Sequence, residues 1–223
     1  MIHVHHITKK FHQRTLALDQ VSFSVDRGEW VFITGPSGAG KTTLLNMIFG
    51  TGKPTAGTVQ LAGVDLSQAS DAALRQLRQQ VGFVFQNAKL VEDMTVYENV
   101  AMPLYIRGFS DSVIEKLVMN TLDQLDLSDW AGAPVETLSG GEKQKVAFAR
   151  AYVTKPAIVL ADEPTGNLDT KSGSVVMELF RRIHLQGTTL LLATHDDLWL
   201  RKYTKRCLHF QKGRLLRDEI FGA

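Results

Sequence analysis

Three short stretches of this chain are apolar from end to end: Trp30-Val31-Phe32-Ile33, Ala157-Ile158-Val159-Leu160-Ala161 and Leu190-Leu191-Leu192-Ala193. None alternates apolar with polar, so each is expected to be a strand covered on both faces. Segments of helical periodicity lie between them, among them Ser172 to Gln186. Buried strands alternating with helices fold as a mainly parallel sheet with helices against it, the α/β class. In such sheets ligands gather at the carboxyl ends of the strands. The same stretches are far too short to cross a bilayer.

Around this skeleton the pattern predicts further elements. Ile2 to Ile7 and Leu16 to Val25 read as strands of a small antiparallel layer. Thr58 to Ala62 and Val81 to Phe85 also read as strands, separated by a helix from Asp71 to Gln79. From Thr95 to about Asp126 the period turns helical, through Val96, Val100 and Leu104 and then Val113, Leu117, Leu122 and Leu125, with Gly108 dividing the two runs. This interrupts the alternation. The expected organisation is one domain over 1–223, with an α/β core of 1–86 and 157–223 and a helical subdomain at 87–156.

Hydrophobic residues make up 44% and charged residues 22% of the chain, which is enough for a buried core. A formal net charge of +2 is too small for a nucleic-acid partner to be expected. The densest basic group is Arg201, Lys202, Lys205 and Arg206, read first as a solvated face and second as a lipid-headgroup contact. The single cysteine, Cys207, excludes an internal disulfide. "MIHVHHITKKF" has no apolar stretch after a basic start, so no secretory leader is expected. His3 and His5 would share a strand face and His6 would not, which favours a plain strand over a metal site.

Two stretches carry chemistry. Gly35-Pro36-Ser37-Gly38-Ala39-Gly40-Lys41-Thr42 follows a strand and precedes a helix that continues with Thr43, and it fits the phosphate-loop pattern in full. Glycines let the backbone wrap a phosphate at the positive end of the helix dipole, Lys41 reaches the outer phosphates, and the Thr42 hydroxyl ligates Mg²⁺. The strand Ile158 to Ala161 ends in Asp162 and Glu163. Asp162 is placed to hold Mg²⁺ through its water shell, and Glu163 to polarise a water for in-line attack on a γ-phosphate. Leu138-Ser139-Gly140-Gly141-Glu142 opens a further helix with two glycines. That is poor helix chemistry but good chemistry for a second phosphate cradle, which invites a site shared between two chains.

With GPSGAGKT, Gln86, LSGGE, VLADEP, Gly166 to Asp169 and His195 in that order, the sequence resembles the ATP-binding cassette family over Ile2 to Leu216. The resemblance implies the phosphate-loop NTPase fold, ATP and Mg²⁺ as ligands, and ATP hydrolysis. It implies that Phe11 stacks on adenine where the family usually has tyrosine. Gln86 would sense Mg²⁺ and the attacking water. Ser139, Gly140 and Gly141 would meet the γ-phosphate held by the other copy, Asp169 would couple the two sites, and His195 would contact the γ-phosphate. The family usually has Gln-Gln-Arg where this chain has Lys143-Gln144-Lys145; a lysine keeps the charge but not the arginine fork.

The "ADEPTGNLD…ATHD" wording resembles the subgroup that does mechanical work across the bacterial inner membrane, in cell division, lipoprotein release and macrolide export. "TVYENVAMPLYIRG" and "LDQLDLSD" lean towards its cell-division members. The expected partners are a second copy of the chain and an integral membrane permease, with the chain peripheral on the cytoplasmic face. Leu90, Val91 and Met94 are candidates for the permease surface, or else for packing within the helical subdomain. A lipoprotein-release role and an ATP-switched scaffold without turnover stay open as alternatives. A small-molecule kinase does not account for LSGGE.

Overall fold

The computed structural model describes residues 1–11 and 15–221. Its central sheet has six strands in the order β10 (Arg214–Ile220), β9 (Arg206–Gln211), β3 (Trp30–Thr34), β8 (Thr189–Ala193), β7 (Ile158–Asp162) and β6 (Val81–Val84). All neighbours pair in parallel except β10, which runs antiparallel to β9. The three uninterrupted apolar stretches are therefore the middle of the sheet. Their side chains divide by the strand period of two. Trp30, Phe32, Val159, Ala161, Leu190 and Leu192 enter one core, and Val31, Ile33, Ile158, Leu160, Leu191 and Ala193 enter the other.

The second core is closed by α1 (Lys41–Ile48), α2 (Asp71–Gln79) and a four-stranded antiparallel sheet. That sheet has the order β2 (Thr15–Val25), β1 (Ile2–Phe11), β4 (Ala56–Leu61) and β5 (Val64–Asp65). The first core is closed by α3 (Val96–Ile106), α4 (Asp111–Asp123), α5 (Gly140–Tyr152), α6 (Thr170–Leu185) and α7 (Asp197–Tyr203). Among the described residues no helix is long and apolar enough to cross a membrane.

Some local expectations are corrected. In α4 the inward row is Ile114, Val118 and Leu122, while Val113 is exposed and Leu117 half-buried. Two adjacent rows of α4 are apolar, and periodicity alone does not choose between them. β1 runs on to Phe11 and carries a bulge: its register shifts between Val4 and Ile7, with His6 at φ 46°. His3 and His5 both point outward, and the His6 amide donates to Ser22 Oγ at 2.8 Å. Arg206 is not a solvated cation. Its guanidinium grips the Asp218 carboxylate at 2.6 and 2.7 Å and Glu29 Oε1 at 2.9 Å. Lys205 lies over the Trp30 ring and Lys202 over Trp199 and Tyr203.

Cys207 is buried on β9, and burial pushes its thiol up to about 12. It is not a reactive thiol.

α5 approaches β6 closely because Gly82 has no side chain: a Cβ there would collide with the Ala151 carbonyl and crowd Pro156. Substituting Gly82→Ala should push α5 off the sheet and lower unfolding stability by about 1–3 kcal/mol, read from urea titration. An unchanged midpoint would mean that this approach is not a tight constraint.

Candidate active site

β3 ends at Thr34 and α1 begins at Lys41, so residues 35–40 make the turn between them. Gly35 (φ 139°) and Gly40 (φ 103°) both lie where side chains strain the backbone. Space forbids a side chain as well. A Cβ on Gly35 would run into the Phe210 carbonyl of β9, and one on Gly40 would stand 2.5 Å from the Ala17 carbonyl of β2. The turn is thus pressed between two sheets. Gly40 caps α1 with no side-chain acceptor, so the first N–H groups of the helix remain available for an anion. Lys41 is buried and folds back over the turn, where Nζ donates to Gly35 O at 2.8 Å and Pro36 O at 3.4 Å.

β7 delivers Asp162 and Glu163 to the same edge. Glu163 sits in the left-handed region at φ 46°, a strained state for a non-glycine residue. Its amide donates to Ala193 O of β8 at 2.9 Å, which fixes it where β7 and β8 end together. One carboxylate oxygen, Oε1, lies 2.8 Å from His195 Nδ1 and 3.4 Å from Lys41 Nζ. The His195 amide donates to Oε2 at 3.4 Å. A carboxylate only accepts, so this contact holds the imidazole proton on Nδ1 and leaves Nε2 free for another partner. The Glu163 side chain is 9% exposed and that of His195 64%, so the acid is sheltered while the imidazole reaches outward.

Asp162 is buried, and its Oδ1 has no hydrogen-bond partner among the described residues. Burial raises its pKa above the ordinary carboxylate range. A hydrogen bond to Thr42 pulls the other way, the charge of Glu163 adds to the rise, and that of Lys41 offsets part of it. An unpaired buried carboxylate oxygen is costly unless a cation completes it. Asp162 and Thr42 offer hard oxygen donors and Gln86 lines the same cleft, the donor type that Mg²⁺ takes. These residues fit Mg²⁺.

The cleft has a volume of about 340 Å³ and is lined by Ser37 to Thr43, Gln86, Asp162, Glu163 and His195. Gly35 and Pro36 lie beneath it and contribute the carbonyls that hold Lys41. Thr15, Leu16 and Ala17 form the remaining wall. They carry no chemical signature, and Ala17 acts through its carbonyl, so no side-chain motif pointed to them. Phe11 is not in that lining. It pairs with Thr15 across β1 and β2, 45% exposed, with Lys9 Nζ over its ring.

Ser139, Gly140, Gly141 and Asp169 also stay outside the cleft. Ser139 forms a capping box on α5. Its hydroxyl lies 2.6 Å from Glu142 Oε2, and Oε2 also accepts from its amide at 2.8 Å. Asp169 caps α6, accepting from the Lys171 and Ser172 amides and from Ser172 Oγ, bonds that hold its carboxyl below the usual range. The two helix starts abut at Gly141, where a Cβ would stand 3.3 Å from Ser172. Lys145 donates to Leu125 O at 2.9 Å, so its charge is committed within its own chain.

A family profile described as ABC transporter matches residues 18–166. The chain belongs to the ABC transporter family. It is an ATPase of that family, with the fold of an ATP-binding cassette. Its relatives include the cell division ATP-binding protein FtsE of Escherichia coli K12, 43% identical over 216 residues, which are 96% of this chain and 97% of that protein. The FtsE of Mycobacterium tuberculosis is 40% identical over 224 residues, 100% of this chain and 97% of that protein. Among solved structures, a dimeric post-hydrolysis state of the cassette MJ0796 bound to ADP and Pi superposes with a TM-score of 0.92, 34% identity and full coverage of both chains. CbiO1 from Clostridium perfringens gives 0.88 at 28% identity, covering 98% of this chain and 88% of that one.

The raised pKa of Asp162 has a thermodynamic sign. A carboxyl whose folded pKa exceeds its unfolded value destabilises the fold above the folded pKa, and that penalty disappears as pH falls. Substituting Asp162→Asn should therefore stabilise the ligand-free protein by about 1 kcal/mol at neutral pH, with the gain lost near about pH 4. Urea titrations at the two pH values measure this. A variant less stable at neutral pH would contradict it.

Proposed function

We propose that the chain is the ATP-hydrolysing subunit of a bacterial inner-membrane complex of the FtsE type, acting in cell division. The observation that carries this is the convergence of Lys41 and His195 on one Glu163 oxygen beside Asp162, whose Oδ1 has no partner among the described residues, in a chain matching FtsE proteins over almost its whole length.

In this reading ATP lies with its phosphates on the N–H groups of residues 38–43 and with Lys41 on the outer phosphates. Thr42 and Asp162, with Gln86 beside them, would hold Mg²⁺, which would supply positive charge against the phosphates when bound. Glu163 takes a proton from the attacking water as the water oxygen bonds to the γ-phosphorus and the bond to the β-phosphate oxygen breaks. His195, oriented by Glu163 through Nδ1, reaches the γ-phosphate with Nε2, which donates to a phosphate oxygen when both ring nitrogens carry protons. Phe11 extends from the Thr15 edge of the cleft towards the adenine, where an exposed aromatic face suits stacking. Two copies close over two nucleotides, each giving the other Ser139, Gly140 and Gly141 at the start of α5, while Asp169 transmits closure between sites. For Ser139 this requires exchanging Glu142 for phosphate.

The membrane partner is an FtsX-like permease, which holds the chain on the cytoplasmic face and carries its motion across the membrane to control peptidoglycan hydrolysis. Of Leu90, Val91 and Met94 only Val91 is exposed, so they offer it a small apolar surface. Leu90 packs against the core, and Asn99, fully buried, binds the backbone of residues 91, 94 and 95. A groove of about 330 Å³ between α2, β6, α3 and α5 suits it better, with Phe83, Phe85 and Met102 inside and Arg75 and Arg107 among its lining. This favours an amphipathic segment with acidic flanks.

Replacing Glu163→Gln should leave ATP affinity within about threefold and lower phosphate release about 10²–10⁴-fold. It should also accumulate a dimer with Mg-ATP on size exclusion. Undiminished hydrolysis would remove Glu163 as the base. The same variant, used as bait on detergent-solubilised native membranes, is expected to retain one FtsX-type permease. A lipoprotein-release permease pair would redirect the assignment, and no membrane protein would favour a soluble switch.

A further inference from the structure

Beyond Gln86 the backbone does something unusual. Ala88 and Lys89 both adopt left-handed conformations, at φ 55° and 46°. Neither is glycine, so the pair is strained and needs outside support. Support comes from α5. Arg150 Nη2 donates to Ala88 O at 2.7 Å and Nη1 to Lys89 O at 2.8 Å. Earlier on the same helix, buried Gln144 donates to Phe85 O at 3.4 Å. From the other side Asn167 Nδ2 donates to Asn87 Oδ1 at 3.2 Å.

Gln86 is thus suspended between two anchor points on α5, the helix that begins at Ser139. The anchors differ in strength. A guanidinium presents parallel donors to two carbonyls in a fixed geometry, and charged donors make the stronger bonds. Burial lowers the Arg150 pKa from its ordinary value, yet an arginine stays charged, and the two carbonyls compensate it. Arg150 also lines the apolar groove beside Phe85. It therefore touches the groove, the helix and the strained turn at once.

We propose that Arg150 is a positioning residue for hydrolysis: by clamping the Ala88 and Lys89 carbonyls to α5 it sets Gln86 in the ATP cleft of its own chain. Its action runs through Gln86 and not through nucleotide contact, since Arg150 is absent from the cleft lining. This rests on the role given to Gln86 above.

The test is a double-mutant cycle in the full-length chain, reading kcat and KM for Mg-ATP together with melting temperature. Arg150→Met should lower kcat about tenfold, with KM and nucleotide affinity unchanged. Arg150→Lys keeps the charge but reaches one carbonyl, so it should recover part of the loss. In a Gln86→Ala background neither substitution should lower kcat further. Equal losses in both backgrounds, or parallel loss of ATP affinity and melting temperature, would overturn the clamp. Should Arg150→Met not fold, Arg150→Lys decides by the same comparison. Full turnover by Gln86→Ala alone would remove the role of Gln86, and the clamp with it.

Discussion

Burial of β3, β7 and β8 on both faces confines charged groups to the strand ends, and the candidate site forms at the carboxyl edge of the sheet. Every charged group of the candidate site stands there. The phosphate-type turn follows β3, the carboxylate pair ends β7, and His195 follows β8. The parallel register sets these ends level, with Ile33 beside Ala193 and Asp162 beside Ala193. No long-range guidance of side chains is needed beyond that pairing, because the register sets the last residues of β7 and β8 level, with β3 running one residue further.

Much of this was legible because the decisive residues are local signals. The turn glycines, the Asp162–Glu163 strand end and the uninterrupted strands each announce themselves within a few residues, and the helix from Asp71 to Gln79 appears with its expected bounds. What stayed hidden depends on contacts between distant segments. The wall of Thr15 to Ala17 carries no chemical signature, and the close approach of the Ala17 carbonyl to Gly40 joins segments distant in sequence. Two apolar rows on α4 could not be ranked without knowing what lies beside them. The bulge at His6 arises from pairing with both β2 and β4. Arg206 read as one more surface cation because its partners, Glu29 and Asp218, lie far away in sequence.

The site holds several locally unfavourable arrangements at once: a strained Glu163, a carboxylate oxygen of Asp162 without a partner, and a helix start capped by glycine alone. The surrounding cores hold them in place, with Ala39, Leu44, Leu45, Ile33 and Ala193 fully enclosed around the turn. Such conflicts between local preference and global fold are expected where a ligand completes the structure. The neighbouring helix starts behave oppositely. Ser139 and Asp169 satisfy their own caps in the single chain.

The close seating of α5 on Gly82 makes that helix a lever with its fulcrum near Ala151. Twelve residue steps at about 1.5 Å each give an arm of about 18 Å from the fulcrum to Ser139. A tilt of about 5° at the seated end displaces the far tip by about 1.6 Å on that arm, more than half the length of a hydrogen bond.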